Sequence, residues 1–318
     1  MSLVNGTIST ASSFHLAGIP GLEAFHIWFA APLTAMYIVT LIGNCTLLLA
    51  IRTALSLHKP MYLLVSFLSF SDLVLSSSIL PKMLANFWGN DGEISFSACF
   101  FQMYLLHVFA GVESGILTAM AFDRCVAVCN PLRYSTIVTH PLIANIGGAC
   151  LARAAFSVLP QSLLAMRLPF CNRHIAHSFC EHIAVVKLSC ADITLNSRYG
   201  LVTTLTFGAM DLAAIGASYA LIFRAIMHLP RKDRFKVFST CIAHVIVMSF
   251  FFIPIFSSLA MHRFQNTIPP YVHILVANAY LLLPPVANPL TYGVNMAEIR
   301  QGVRQMFLKA KSRLLLCG

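Results

Sequence analysis

Four carboxylates and two guanidinium groups, Asp72, Glu113, Asp123, Asp211, Arg124 and Arg153, interrupt stretches that are otherwise almost wholly apolar. An ionised group in such surroundings must find a partner, neutralise itself or hold a counter-ion. Asp123 and Arg124 are adjacent, at the end of the segment TAMAFDRCVAVCNPLRY, so together they form an acid–base latch able to hold a neighbouring helix. Glu113 precedes Arg124 by eleven residues, about three helical turns, and therefore sits on nearly the same helix face. Asp72 and Glu113 are two acids in one core, suited to sharing a proton, a water cluster or a sodium ion, since hard cations take carboxylate oxygens. Asp211 is an internal pair or a hydrated acid, with Arg153 as one partner to consider.

The elements that position these groups must be membrane helices. Of the 318 residues, 58% are hydrophobic and only 10% charged, and the mean hydropathy is +0.78, which excludes a water-soluble globular surface. Apolar runs of about 20 residues, enough to cross a bilayer, begin near Ile27, Met61, Ala98, Leu142, Leu201, Val237 and Val272. They are continuous rather than alternating, so they read as helices and not as barrel strands. The expected fold is an all-α membrane protein: a seven-transmembrane helix bundle over residues 27–295, after an extracellular segment 1–26. Residues 296–318 form a short amphipathic eighth helix and tail, with Ile299, Val303, Met306 and Phe307 opposed to Arg300, Arg304 and Lys309.

Fourteen of the 21 Lys and Arg fall on the side reached after the first span, which makes that side cytoplasmic. The N-terminus is then extracellular, and the chain is a multi-pass plasma-membrane protein. No Lys or Arg precedes Arg52, so no signal-peptide basic region is expected. The net charge of +10 is thus topology, with lipid headgroups as nearest partners and no nucleic acid implied. Asn5-Gly6-Thr7 is a glycosylation sequon on the outer side.

The outer loop PFCNRHIAHSFCEHIAVVKLSC carries Cys171, Cys180 and Cys190 among His174, His177 and His182. With Cys99 these make four outward cysteines, for which disulfides are the default and three connectivities are open. The competing chemistry is a zinc or copper site from His177, Cys180, Glu181 and His182. Cys45, Cys125, Cys129, Cys150, Cys241 and Cys317 should be reduced, with Cys317 a free thiol or a palmitoylation site. His107 faces the bundle two turns in from Cys99. Pro254 removes a backbone hydrogen bond and invites a kink in the sixth span. Arg263 lies nine residues further, roughly 13 Å above it, with a fork matched to a carboxylate.

MAFDRCVAVCNPLRY resembles the third-helix motif of rhodopsin-like G-protein-coupled receptors, and more narrowly the MAYDRYVAIC.PLRY of olfactory receptors, with Phe122 and Cys125 replacing two tyrosines. KVFSTCIAHV resembles the olfactory KAFSTC..H signature. PPVANPLTYG resembles its seventh-helix PP..NP..YG. LAGIPGLE, FCEH and MHRF resemble class I, fish-like receptors of the fifty-first and fifty-second groups. The resemblance runs along the whole chain and implies disulfides Cys99–Cys180 and Cys171–Cys190, forming a lid.

The same resemblance implies an odorant receptor for carboxylic (fatty) acids. Arg263 would take the carboxylate, with His107, His182 and Gln102 near it and the tail against Ala110, Gly111, Ser114, Phe252 and Leu259. Asp123, Arg124, Tyr219, Asn288, Pro289 and Tyr292 would form the switch, coupled to the stimulatory olfactory G protein and cyclic AMP. No cofactor is implied beyond the candidate sodium ion. Neutral odorants are the alternative ligand class. A transporter or channel would also use intramembrane acids, but no internal repeat is present. An intramembrane enzyme lacks a motif such as HExxH or GxSxG.

Overall fold

The computed structural model describes residues 12–89, 91–228, 230–263 and 268–316, so Asn5 and Cys317 lie outside the described residues. In order the elements are β1 (Ser13–Leu16), α1 (His26–Thr53), α2 (Pro60–Gly89), β2 (Glu93–Ser95), α3 (Phe96–Cys129), α4 (Tyr134–Ile137), α5 (His140–Met166) and β3 (His174–Ile175). Then follow α6 (His182–Val186), α7 (Thr194–Met227), α8 (Arg231–Arg263), α9 (Pro270–Asn295) and α10 (Ala297–Leu316). Among the described residues seven helices, α1, α2, α3, α5, α7, α8 and α9, are long and apolar enough to cross a membrane. α7 and α8 start at Thr194 and Arg231, ahead of their apolar onsets, because the polar first turns TLNSRYG and RKDRFK are helical too.

Local chemistry fixes the ends. Ser95 caps α3 by accepting from the Ala98 amide, and Thr139 caps α5 by accepting from Leu142, with a proline in the first turn. Inside the spans, hydroxyls satisfy themselves by donating to the carbonyl four residues back, as Ser76 does to Asp72 and Thr118 to Ser114. α3 stands at the centre, packed on α2, α5 and α7. α10 runs amphipathically from the end of α9, with Ile299 fully buried while Arg300 and Arg304 are exposed.

A three-stranded sheet, ordered β2-β1-β3, covers the opposite end of the bundle; β1 runs antiparallel to β2 and parallel to β3. Phe14 and Leu16 of β1 turn inward and are buried. Phe14 packs on Phe96, Phe100 and Phe170 at centroid distances of 5.7, 6.5 and 5.3 Å. After β1 the chain turns through Gly18 and Gly21, both at positive φ. A side chain at Gly18 would also strike the imidazole of His26, whose Nε2 accepts from the Ile19 amide at 3.1 Å. LAGIPGLE is therefore the hinge that folds the N-terminal strand back over the helices.

Candidate functional site

Beneath the sheet lies a cavity of about 600 Å³ among α3, α5, α7 and α8, roofed by α6. α8 supplies an apolar wall: Phe251, Phe252, Ile255, Phe256 and Leu259. α3 supplies His107, Ala110, Gly111 and Ser114, and the roof supplies Glu181, His182 and Lys187. Seven of the sequence-derived ligand residues thus meet in one space: His107, His182, Ala110, Gly111, Ser114, Phe252 and Leu259. Arg263 ends α8 one turn beyond Leu259, but its side chain is outside the described set.

Gln102, expected beside the ligand, is not among the lining residues. Its amide donates to the Ser78 carbonyl at 2.8 Å and accepts from the Cys180 amide at 2.9 Å, so it is a strut under the loop. Cys180 itself is bonded to Cys99, and Cys171 to Cys190, with Cα–Cα distances of 5.5 and 5.7 Å. Cys180 has no thiolate left to give a metal, which removes the zinc or copper reading of that loop. Among the described residues no three His, Cys, Asp or Glu are grouped to hold a metal. Ser178 donates to Asn278 at 2.7 Å, tying the same loop to α9.

The cavity floor is ionic. Arg153 donates to both Asp211 oxygens at 2.7 and 2.8 Å, and the Ser114 hydroxyl adds a third bond at 2.6 Å. Arg153 also lies 5.2 Å from the Phe207 ring centroid. The carboxylate thus has a forked, charge-assisted partner, and the guanidinium brings no net charge to the floor. Ser114 is committed to Asp211. His107 donates from Nδ1 to the Met103 carbonyl at 2.8 Å, because that carbonyl can only accept, so Nε2 is the nitrogen left for a ligand.

Deeper, Asp72 accepts twice from the Asn288 amide at 3.1 and 3.0 Å. Glu113 is buried on α3, as Asp72 is on α2, and no described donor reaches either Glu113 oxygen. A proton or cation between the two carboxylates is the chemistry this pairing admits.

At the far end Asp123 accepts from Tyr134 at 2.7 Å and is 3.8 Å from Arg124, whose guanidinium also contacts the Met61 sulfur. Burial and the bond to Asp123 raise the Tyr134 phenol above its ordinary range. Tyr219 on α7 shares a 2.8 Å hydrogen bond with His244 on α8, while Tyr292 points its hydroxyl at the Met120 sulfur. Pro289 abuts α1 at Gly43. Phe122 is exposed on the bundle exterior, whereas Cys125 is buried beside Ile222, Ile226 and Cys241. Of the two departures from the motif, only Cys125 touches the α7–α8 contact. Arg153, Tyr134, Met61 and His244 join these sites without a spacing rule that announces them; for His244 the signal was its place in KVFSTCIAHV.

The chain matches known proteins along nearly all its length. A family profile described as Olfactory receptor matches residues 33–310. Among curated proteins it is similar to Olfactory receptor 52J3 of Homo sapiens, 46% identical over 96% of this chain and 98% of that one. It is likewise similar to human Olfactory receptor 52N1, 43% identical over 98% of each, and to human Olfactory receptor 52D1, 46% identical over 95% of this chain and 96% of that one.

Proposed function

The chain belongs to the olfactory receptor family, and from that premise we propose that it senses carboxylic acids, taking the carboxylate at Arg263 and the alkyl tail in the cavity. As a member it is an odorant receptor of the G-protein-coupled class, a multi-pass plasma-membrane protein and not an enzyme. The observation that carries the acid reading is the charge balance of the cavity. Its floor cation, Arg153, is already matched by Asp211. At the mouth the bases outnumber the acids: Lys187 and Arg198 line the space with one carboxylate, Glu181, and Arg263 ends α8 one turn beyond Leu259. An acid therefore enters head outward, with Gln102 holding the loop above it rather than touching it. Between head and floor the five apolar residues of α8 suit a saturated tail, and about 600 Å³ is within the range of small-ligand sites.

The tail acts through α8. Phe252 and Leu259 flank Pro254, so a ligand that prefers one arrangement of the two half-helices shifts the equilibrium by that preference. Outward movement of α8 would separate Tyr219 from His244 and open a cleft beside Arg124 for the stimulatory olfactory G protein. The N-terminus is on the outer side in this reading, in keeping with two disulfides at the sheet end. Cyclic-AMP production in cells, measured with straight-chain acids from propionate to decanoate and with their alcohols, tests it. Acids should activate, and Arg263→Ala should weaken them by about 10- to 100-fold, the worth of one charge-assisted contact. Equal potency of alcohols, or an unchanged Arg263→Ala, would favour neutral odorants that bond to the Ser114 and Asp211 floor.

Asp72 and Glu113 are proposed to hold a sodium ion in the resting receptor. Agonist affinity should rise when choline replaces sodium, and Asp72→Asn should abolish that difference. An affinity indifferent to sodium in the wild type would leave the two carboxylates sharing a proton.

A further inference from the structure

A second cavity, of about 310 Å³, opens on the outside of the bundle where α1, α9 and α10 meet. Gly43, Thr46 and Leu47 line it from α1, Gly293 from α9, and Arg300 and Val303 from α10. Its shape follows from two glycines. At Gly43 the helices touch, since an added Cβ would lie 2.9 Å from Pro289. At Gly293, one turn further along α9, an added Cβ meets nothing within 4 Å. The helices therefore diverge from the Gly43–Pro289 contact toward α10, leaving a wedge. Its rim is lipid-facing: Val39 is 39% and Leu290 53% exposed, on helices apolar enough to cross the membrane. In a bilayer such a wedge is filled by an apolar chain, because neither water nor a polar segment is stable there.

The lower end of the wedge is charged. Arg300 and Arg304 are one turn apart and exposed, and no ion pair to either is present among the described residues. The nearby carboxylate, Glu298, is occupied by Lys59 at 2.8 Å and Tyr62 at 2.7 Å. A guanidinium with no acid partner, at the end of an apolar slot, fits a phosphodiester. We propose that the wedge is a binding site for one anionic glycerophospholipid of the leaflet at the α10 end, its acyl chain along Gly43, Thr46 and Gly293 and its headgroup on Arg300. The seated chain leans on the Pro289 contact, so the lipid stabilises the present arrangement of α9 against α1.

The full-length receptor in nanodiscs of mixed phosphatidylserine and phosphatidylcholine, with retained lipid counted by native mass spectrometry, tests this. The wild type should keep phosphatidylserine over phosphatidylcholine. Arg300→Gln, at an exposed position that does not endanger folding, should cut that preference about fivefold, the value of one basic contact at a lipid surface. Gly293→Leu should lose both lipids, since its side chain enters open space; Gly293→Ala should lose part of them. Arg133→Gln, an exposed basic residue in the turn after α3 and not among the residues lining the wedge, should change little. The proposal fails if Arg300→Gln remains as selective as wild type. It fails equally if Arg133→Gln does as much as Arg300→Gln, if Gly293→Leu keeps its selectivity, or if added cholesterol displaces both phospholipids.

Discussion

The two ends of the bundle are held together by different chemistry. At the sheet end, two disulfides, a three-stranded sheet and a cluster of four phenylalanines fix the loops over the cavity. Side-chain struts reinforce them: Gln102 to Cys180, Asn86 to the Leu16 carbonyl at 3.0 Å, and Ser178 to Asn278. At the Arg124 end there is no covalent tie among the described residues. Single contacts do the holding there: Tyr134 to Asp123, Tyr219 to His244, and Arg124 to a sulfur and a carboxylate 3.8 Å away. Binding free energy released in the cavity therefore has one rigid boundary and one yielding one. Motion goes to the yielding end.

The strongest way to break this contrast is to cut the Cys99–Cys180 bond. It closes a loop of 81 residues, and native disulfides are worth roughly 2–5 kcal/mol. A double Cys99→Ser, Cys180→Ser receptor should lose most surface expression and, where it is recovered, melt well below wild type. If it melts and responds like wild type, the outer end is held by the sheet and aromatic cluster alone, and the rigidity has been assigned to the wrong contacts.

A smaller change sharpens the other side. Tyr134→Phe removes one hydrogen bond to a buried carboxylate, a loss of about 1.5–3 kcal/mol where the acceptor is charged. Because the bond fixes the loop after α3 in the present arrangement, its loss should appear mainly as raised ligand-independent guanine-nucleotide exchange on the G protein. A fall in expression comparable to that of the disulfide variant, with basal signalling unchanged, would show instead that Tyr134 is structural.

How much of this was legible in the sequence follows the same division. The spans were visible because lipid demands long apolar runs, and the disulfide pairing followed from a resemblance, not from spacing. The sheet was not legible: β1 is four residues, SFHL, too short for alternation to stand out, and its partners lie 78 to 82 and 159 residues away. Gln102 was misread for a related reason. It is one turn before Leu106, which does line the cavity, but the disulfide brings Cys180 across it, and helical periodicity cannot know where a loop lands. Arg153 was one of the alternatives the sequence offered for Asp211, and the structure makes that pair; no spacing rule could decide it for residues 58 apart on different helices. Phe122 and Cys125 looked equivalent as departures from a motif; only burial separates them.

The least effect is expected where α10 meets α2, and it tests whether the yielding end is weak in each contact or only in the switch. Glu298 accepts from Lys59 at 2.9 and 2.8 Å and from Tyr62 at 2.7 Å, and these bonds hold its carboxyl below the ordinary value of 4.5. A depressed carboxylate stabilises the fold above its unfolded-state pKa, and that contribution fades as pH falls through the lower folded value. Between pH 7 and the ordinary carboxylate range, then, Glu298→Gln should melt slightly below wild type, and the gap should close on further acidification. With both side chains about half exposed, at 56% and 47%, screening limits the gap to less than about 1 kcal/mol, or a few degrees. Melting curves of the two receptors across pH in one lipid system measure it. A gap as large as that of the disulfide variant would mean that α10 is a firm anchor, leaving the switch between α3, α7 and α8 as the only soft part of that end.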